Sequence, residues 1–209
     1  MKYKLVIFDF DGTLSNSFPW FRTIADQVAV KYNLRKLEDS EYDAMRGWDA
    51  PTTLKYVGVP LWKVPAIGNY LKTLMARDIH LVPLFPGVDD LLFRLAERGI
   101  TLAIVSSNKY ENVRKILGEE NAARIHYYEC GVSVFGKPPK LRKILRKSGV
   151  PAGEVILIGD EIRDLQAAAS VGIASGAVVW GYNRREALEA HSPQEVFASI
   201  EHRNVHLPV

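Results

Sequence analysis

The sequence predicts an α/β fold: a parallel sheet covered by helices on both faces, with an all-helical insertion after its first strand. Three observations predict it. Short apolar runs rich in β-branched residues recur along the chain, helical stretches with glycine stops separate them, and one long segment near the N-terminus holds no strand-like run. Such alternation implies βαβ units with right-handed crossovers. At 209 residues, 47% of them hydrophobic, the chain can form one large domain or one domain carrying an insertion.

The first strand is read at residues 5–8, "LVIF", where four apolar residues without a polar alternate suit a strand buried on both faces. Asp9 ends it, and Asp11 and Gly12 follow. Asp-Gly is ordinary turn chemistry, yet the carboxyl edge of an open sheet is also where ligands bind. On this stretch alone both readings stand. Residues 18–80 read as several helices with turns at Arg46-Gly47 and Gly58-Val59-Pro60, and Pro86-Gly87 marks the return to the α/β pattern. Further strands are expected at 100–105, 125–128, 155–158 and 177–180. Helices are expected at 89–97, 112–117, 141–147 and 162–171, stopping at Gly99, Gly118, Gly149 and Gly172. Ser192-Pro193-Gln194-Glu195 reads as a capping box opening a last helix. The boundaries that follow are 1–15 and 82–209 for the core and 16–81 for the insertion.

Composition excludes several classes of function. The net charge of +3 comes from scattered basic residues, so nucleic acid is not implied. A lone cysteine, Cys130, forms no internal disulfide and no metal cluster, which suits a structural thiol in a reducing cytoplasm. The N-terminal apolar run reaches Asp9 too early for a signal peptide, and no stretch is apolar and long enough to span a bilayer. The expected partner is a small molecule, and the chain a monomer or homodimer.

The chemistry lies at the strand ends. The 100–105 run delivers Ser106-Ser107-Asn108, the 155–158 run delivers Gly159-Asp160-Glu161 with Asp164 one helical turn on, and "VFGKPPK" places Lys137 where a loop opens into a helix. Taken singly, Ser106 reads equally as a strand cap, Lys137 as a solvated charge and Asp164 as a helix-terminal acid. Folding a parallel sheet gathers all of them on one edge. Asp9, Asp11, Asp160, Glu161 and Asp164 together would repel one another without a cation, and a set of hard oxygens without histidine or thiol favours Mg2+. Lysine and serine would form the anion-binding half.

Four segments in this order, "IFDFDGT", "LAIVS", "FGKP" and "IGDEIRD", resemble the motifs of the haloacid dehalogenase superfamily in its phosphatase branch. "IRDLQAAASVGI" and "VVWGYN" are similar to segments of its phosphoglycolate phosphatase-like members. The resemblance covers nearly the whole chain and implies a Rossmann-like core with a helical cap. It makes Asp9 the nucleophile that forms an aspartyl-phosphate and Asp11 the acid that protonates the leaving alcohol and then the base that activates water. Gly12 and Thr13 would shape the loop under the phosphate; Ser106 and Lys137 would hold the phosphoryl oxygens, with Ser107 and Asn108 beside them. Mg2+ would be bound by the Asp9 carboxylate, the Asp11 carbonyl and Asp160, with Glu161 and Asp164 orienting waters or Lys137. This chain departs from the usual pattern in having Asn16 soon after DGT and Lys137-Pro138-Pro139-Lys140 at the lysine motif, so Lys140 is a second candidate for the phosphate-binding lysine.

The expected activity is hydrolysis of a small phosphomonoester. A phosphomutase of the β-phosphoglucomutase type needs the same core and stays open; a metal-independent dehalogenase fits less well, because a halide leaving group needs no proton from Asp11, and a non-catalytic binding protein would not need every acid intact. In "DAMRGWDAPTT", Arg46 falls at a break between two cap helices. It reads either as a grip on the non-phosphate end of an anionic substrate or as a solvated surface arginine beside Trp48.

Overall fold

A computed structural model describes residues 2–131, 133 and 136–200. Six strands form one wholly parallel sheet in the order β3-β2-β1-β4-β5-β6. They are β1 (Leu5–Phe8), β2 (Thr101–Val105), β3 (Tyr127–Glu129), β4 (Val155–Gly159), β5 (Ala174–Val178) and β6 (Glu195–Phe197). The order reverses at β1, so the crevice at its carboxyl end is a topological switch point, the place where open α/β sheets bind ligands.

Alternation along the central strands builds the core. Val6, Phe8, Leu102, Ile104, Ile156 and Ile158 point to one face, where they pack with α5 (Val88–Glu97) and α6 (Tyr110–Arg124). Leu5, Ile7, Ala103, Val105, Val155 and Leu157 point to the other, against α7 (Lys137–Ser148) and α8 (Ile162–Val171). Successive side chains of a strand face opposite ways, so an unbroken apolar run supplies both layers.

Between β1 and α5 the chain is helical: α1 (Phe18–Tyr32), α2 (Asp39–Met45), α3 (Ala50–Tyr56) and α4 (Val64–Arg77), with short 3-10 turns at Leu61–Lys63 and Ile79–Leu81. Trp20, Ile24 and Val28 of α1 meet Ile67, Leu74 and Met75 of α4 in a small core of their own. The two segments joining these helices to the sheet run side by side, with Asn16 N donating to Pro83 O at 2.8 Å and Phe85 N to Leu14 O at 2.9 Å.

β3 covers residues 127–129 where 125–128 was expected, α7 opens at 137 and not 141, and three further elements differ more. β5 spans Ala174–Val178 and not 177–180: "ASG" lacks the β-branched signal of the residues after it, yet pairs in register with Ile156–Ile158 of β4, and residues 179–180 turn out of the sheet. The helix expected to stop at Gly118 kinks there (φ 73°, ψ 168°), and a second helical piece continues to Arg124. The capping box at 192–195 opens no helix: Gln194 N donates to Ser175 O at 2.9 Å and residues 195–197 form β6 on the edge of β5. The free ladder groups of β5 and the packing of Phe197 over Gly176 outweigh the local cap. The short helix α9 (Arg185–Glu189) lies before it.

Candidate active site

The amide of Asp9 donates to Ile158 O at 2.8 Å, extending the β1–β4 ladder one residue and fixing the Asp9 carboxyl at the sheet's carboxyl edge. The chain then turns back: the amides of Leu14 and Ser15 both donate to Phe10 O at 2.9 Å, and Gly12 takes φ 83°. At the end of β4, Asp160 Oδ1 accepts from Thr13 Oγ1 at 2.6 Å and Oδ2 from Tyr182 N at 2.8 Å, so each carboxylate oxygen is held. Glycines make room for it. A Cβ on Gly12 would stand 2.2 Å from Asp160 Oδ2, and one on Gly181 would stand 2.3 Å from Asp160 Cβ.

Lys137 is the first residue of α7, with Pro138 and Pro139 in a first turn that needs no N–H from them. Its side chain is fully buried, ion-paired to Asp164, with Nζ 2.8 Å from Asp9 Oδ2. That oxygen accepts no well-directed hydrogen bond among the described residues. Asp164 also accepts from Glu161 N at 3.1 Å, closing a capping box that sets the start of α8. Burial pushes the Asp9 carboxyl up to about 7 against the pull of Lys137, and Asp164 adds to the rise. Burial, then Glu161, Asp9 and Asp164, push Asp160 well up. Burial alone would lower Lys137, but Asp164 and Asp9 raise it and keep it charged.

Carboxylate oxygens of Asp9, Asp160 and Asp164 lie within 4.8 Å of one another, all buried. Three buried carboxylates suit a small divalent cation such as Mg2+ and offer nothing to a thiophilic metal, and Asp9 Oδ2, with only its ion pair to Lys137, keeps acceptor capacity. Asp164 joins the two acids expected there from the sequence, Asp9 and Asp160.

The Asp11 carboxylate turns away from this cluster to the cleft, accepting from Asn108 Nδ2 at 3.2 Å and Ser15 Oγ at 3.3 Å. Burial pushes it up to about 6 despite those two bonds. Ser106 is buried, its Oγ accepting from Asn108 N at 3.0 Å, and Ser107 lines the cleft. Lys140 lies elsewhere. It and Lys143 pair with the buried carboxylate of Glu129 at 3.1 and 2.6 Å, so of the two candidate lysines Lys137 alone reaches the acidic cluster.

Between these loops and helices α1 and α4 opens a cleft of about 500 Å³. Arg46 is not part of its wall. Its Nε donates to Tyr182 O at 3.2 Å and its Nη2 to Gly181 O at 3.1 Å, so the guanidinium ties the α2–α3 turn to the loop after β5. Two residues of the site were not singled out from the sequence. Tyr182, within the quoted "VVWGYN", holds Asp160 by its backbone while its ring packs edge-on to Phe18 at 5.1 Å. Arg163, inside "GDEIRD", pairs with Glu161 at the cleft; Asp164, Asp9 and Glu161 keep it charged despite burial.

A family model described as "Haloacid dehalogenase-like hydrolase" matches residues 6–178. The chain is similar to a phosphoglycolate phosphatase of Synechococcus elongatus, 31% identical over 91% of this chain and 90% of that one. It is also similar to one from Aliivibrio fischeri, 29% identical over 92% and 91%. Among solved structures, a haloacid dehalogenase-like family hydrolase from Streptococcus pneumoniae superposes with a TM-score of 0.76 at 18% identity, over 95% of each chain. Sheet order, acidic edge and family match agree: the chain belongs to the haloacid dehalogenase-like hydrolases.

Proposed function

We propose that this hydrolase is a Mg2+-dependent phosphatase that cleaves a small phosphomonoester through an aspartyl-phosphate on Asp9, in the manner of the phosphoglycolate phosphatases it is similar to. One observation carries the reading: a buried nucleophile candidate, Asp9, sits against Lys137 and Asp160, while a second carboxyl, Asp11, faces the cleft. Asp9 attacks phosphorus, and the P–O bond to the alcohol breaks as Asp11 gives that oxygen a proton. Asp11, now ionised, takes a proton from water that attacks the phosphoryl group, and Asp9 is released. A carboxyl held near 6 by burial suits both transfers.

Lys137 and Ser106 hold phosphoryl oxygens as charge develops on them, beside the Gly12-Thr13 turn. Asn108 aims Asp11, and Ser107 borders the leaving group. Asp164 keeps Lys137 in place. A Mg2+ held by Asp9 and Asp160, with the Asp11 carbonyl or Asp164 completing the set, would neutralise charge on the transferred group. The helical segment 16–81 acts as the cap that covers the substrate and excludes water. Free Cys130 suits a reducing cytoplasm.

The experiment is turnover of a phosphomonoester panel, including 2-phosphoglycolate, sugar phosphates and nucleotides, with Mg2+ and with chelator, for the wild type and Asp9→Asn. Hydrolysis that needs Mg2+ and vanishes in Asp9→Asn while the variant stays folded supports the reading. Full activity in chelator, or in Asp9→Asn, overturns it.

A further inference from the structure

The helical wall of the cleft carries a cation to which the proposed chemistry gives no task. Lys72 lies on α4 at the cleft, near Leu71 and Met75 and opposite Asp11 and Asn108. Among the described residues no carboxylate pairs with its ammonium. Partial burial, and then the like charge of Lys109, hold its pKa below the ordinary lysine value. Two neighbouring cations, one partly desolvated and without an acid, form an arrangement that an anion relieves. The other arginines near the cleft are engaged, Arg163 with Glu161 and Arg46 with carbonyls.

The position of Lys72 is tied to the reacting end of the cleft. Asn108 Nδ2 donates to Asp11 Oδ2 at 3.2 Å and to Met75 Sδ at 2.7 Å, one helical turn beyond Lys72. Asn112 Nδ2 donates to Asn108 Oδ1 at 3.0 Å and to the Lys72 carbonyl at 3.0 Å. Both asparagines are buried, so a fixed chain of side-chain amides sets the spacing between the proton-transfer carboxyl and the Lys72 backbone. An ester held at Asp9 would present its alcohol to Asp11, and the α4 wall borders the same cleft.

We propose that Lys72, backed by Lys109, is the specificity residue that binds a second anionic group, a carboxylate, on the alcohol of the phosphomonoester. The proposal rests on the phosphatase reading above. Lys72 is the one lysine among the described residues lining the cleft, and its ammonium stands beside apolar side chains, a setting that matches a monoanion.

The test compares 2-phosphoglycolate with ethyl phosphate, an ester of similar length without the carboxylate, in the wild type, Lys72→Gln and Lys72→Arg. The reading is the ratio of kcat/KM between the two esters. We expect the wild type to favour 2-phosphoglycolate at least tenfold, Lys72→Gln to cut that ratio roughly ten- to a hundredfold through KM, and Lys72→Arg to restore most of it. A ratio near one in the wild type, or the same ratio in Lys72→Gln, overturns the proposal while ethyl phosphate turnover leaves the phosphatase reading standing. A wild type that hydrolyses neither ester in Mg2+ overturns both.

Discussion

Arg46 Nε donates to the carbonyl of Tyr182 at 3.2 Å, and the amide of that same Tyr182 donates to Asp160 at 2.8 Å. A residue of the helical segment thus braces the loop that positions an acid of the core. Asn183 adds to the brace, its Nδ2 donating to the carbonyls of Arg46 and Trp48, each at 2.9 Å.

This predicts a uniform loss in Arg46→Ala. Turnover of 2-phosphoglycolate and of ethyl phosphate should fall by similar factors, roughly three- to thirtyfold, and unfolding should be easier by about 1–2 kcal/mol for the lost bonds to partly buried carbonyls. Kinetics on both esters and chemical denaturation check it. Loss confined to the carboxylated ester would make Arg46 a substrate-binding residue after all.

Gly12→Ala should be among the most damaging single-methyl changes in the chain. The added carbon lands 2.2 Å from Asp160 Oδ2 on a backbone at φ 83°, so Asp160 or the 10–15 turn must move. About 2–4 kcal/mol of stability and at least a hundredfold of activity should go. Gly172→Ala is the control: φ is 72° there, in the left-handed region at ψ 29°, but nothing lies within 4 Å, so only a backbone term of about 1–2 kcal/mol applies and turnover is kept.

How far these relationships could be read from the sequence depends on their range. β1 and β4 were legible because each is a continuous apolar run whose two faces both find cover, and Asp9 and Asp160 follow directly from where those runs stop. Lys137 was legible through the prolines that open α7. β6 was not, since three residues on a sheet edge gain their structure from β5 and not from their own pattern, and a local cap signal pointed elsewhere. Arg46 stands out in the sequence, but its partners do not. Whether an arginine at a turn meets solvent, substrate or a carbonyl 135 residues away is decided by where the helical segment seats, which no local pattern encodes. Lys72 and Arg163 are single charges in helical stretches and carry no signal of their own.

Glu129 should link stability to acid. Its buried carboxylate accepts from Lys140 and Lys143, and although burial acts to raise its pKa, those bonds lower it on balance. A carboxyl lowered by folding adds stability that is present above its unfolded value of about 4.5 and fades as pH falls through the folded value. Glu129→Gln should therefore cost about 1–2 kcal/mol at pH 7 and progressively less below pH 4.5, measured by denaturation across pH. A constant cost at all pH values would mean that packing, and not charge, holds the site.

Cys130 should be nearly inert in the folded protein. Burial, and then Glu111, Glu129 and Asp11, push its thiol up to about 12, so the thiolate is scarce at pH 8. Alkylation by iodoacetamide at that pH should be slower than in the unfolded chain by on the order of a thousandfold. Mass spectrometry of timed labelling reads this directly, and rapid labelling of the native protein would count against it.

The acidic cluster makes a prediction that needs no substrate. Asp160 is buried beside Asp9, Asp164 and Glu161, and their mutual repulsion adds to burial in opposing its charge, with Lys137 as partial compensation. A cation bound there stabilises the folded chain and not the unfolded one, by about 2.7 kcal/mol at a hundred times its Kd. For a chain of this length that is a rise in Tm of roughly 5–10 °C. Asp160→Asn keeps the shape and can still meet Thr13 Oγ1 and Tyr182 N, but removes one like charge and one ligand. In chelator it should melt no lower than the wild type, and Mg2+ should no longer raise its Tm. Thermal melts of both proteins in chelator, in Mg2+ and in NaCl of matched ionic strength separate binding from screening. A wild-type Tm that ignores Mg2+, or one that NaCl raises equally, would leave the three buried aspartates as a framework for Lys137 and not a metal site.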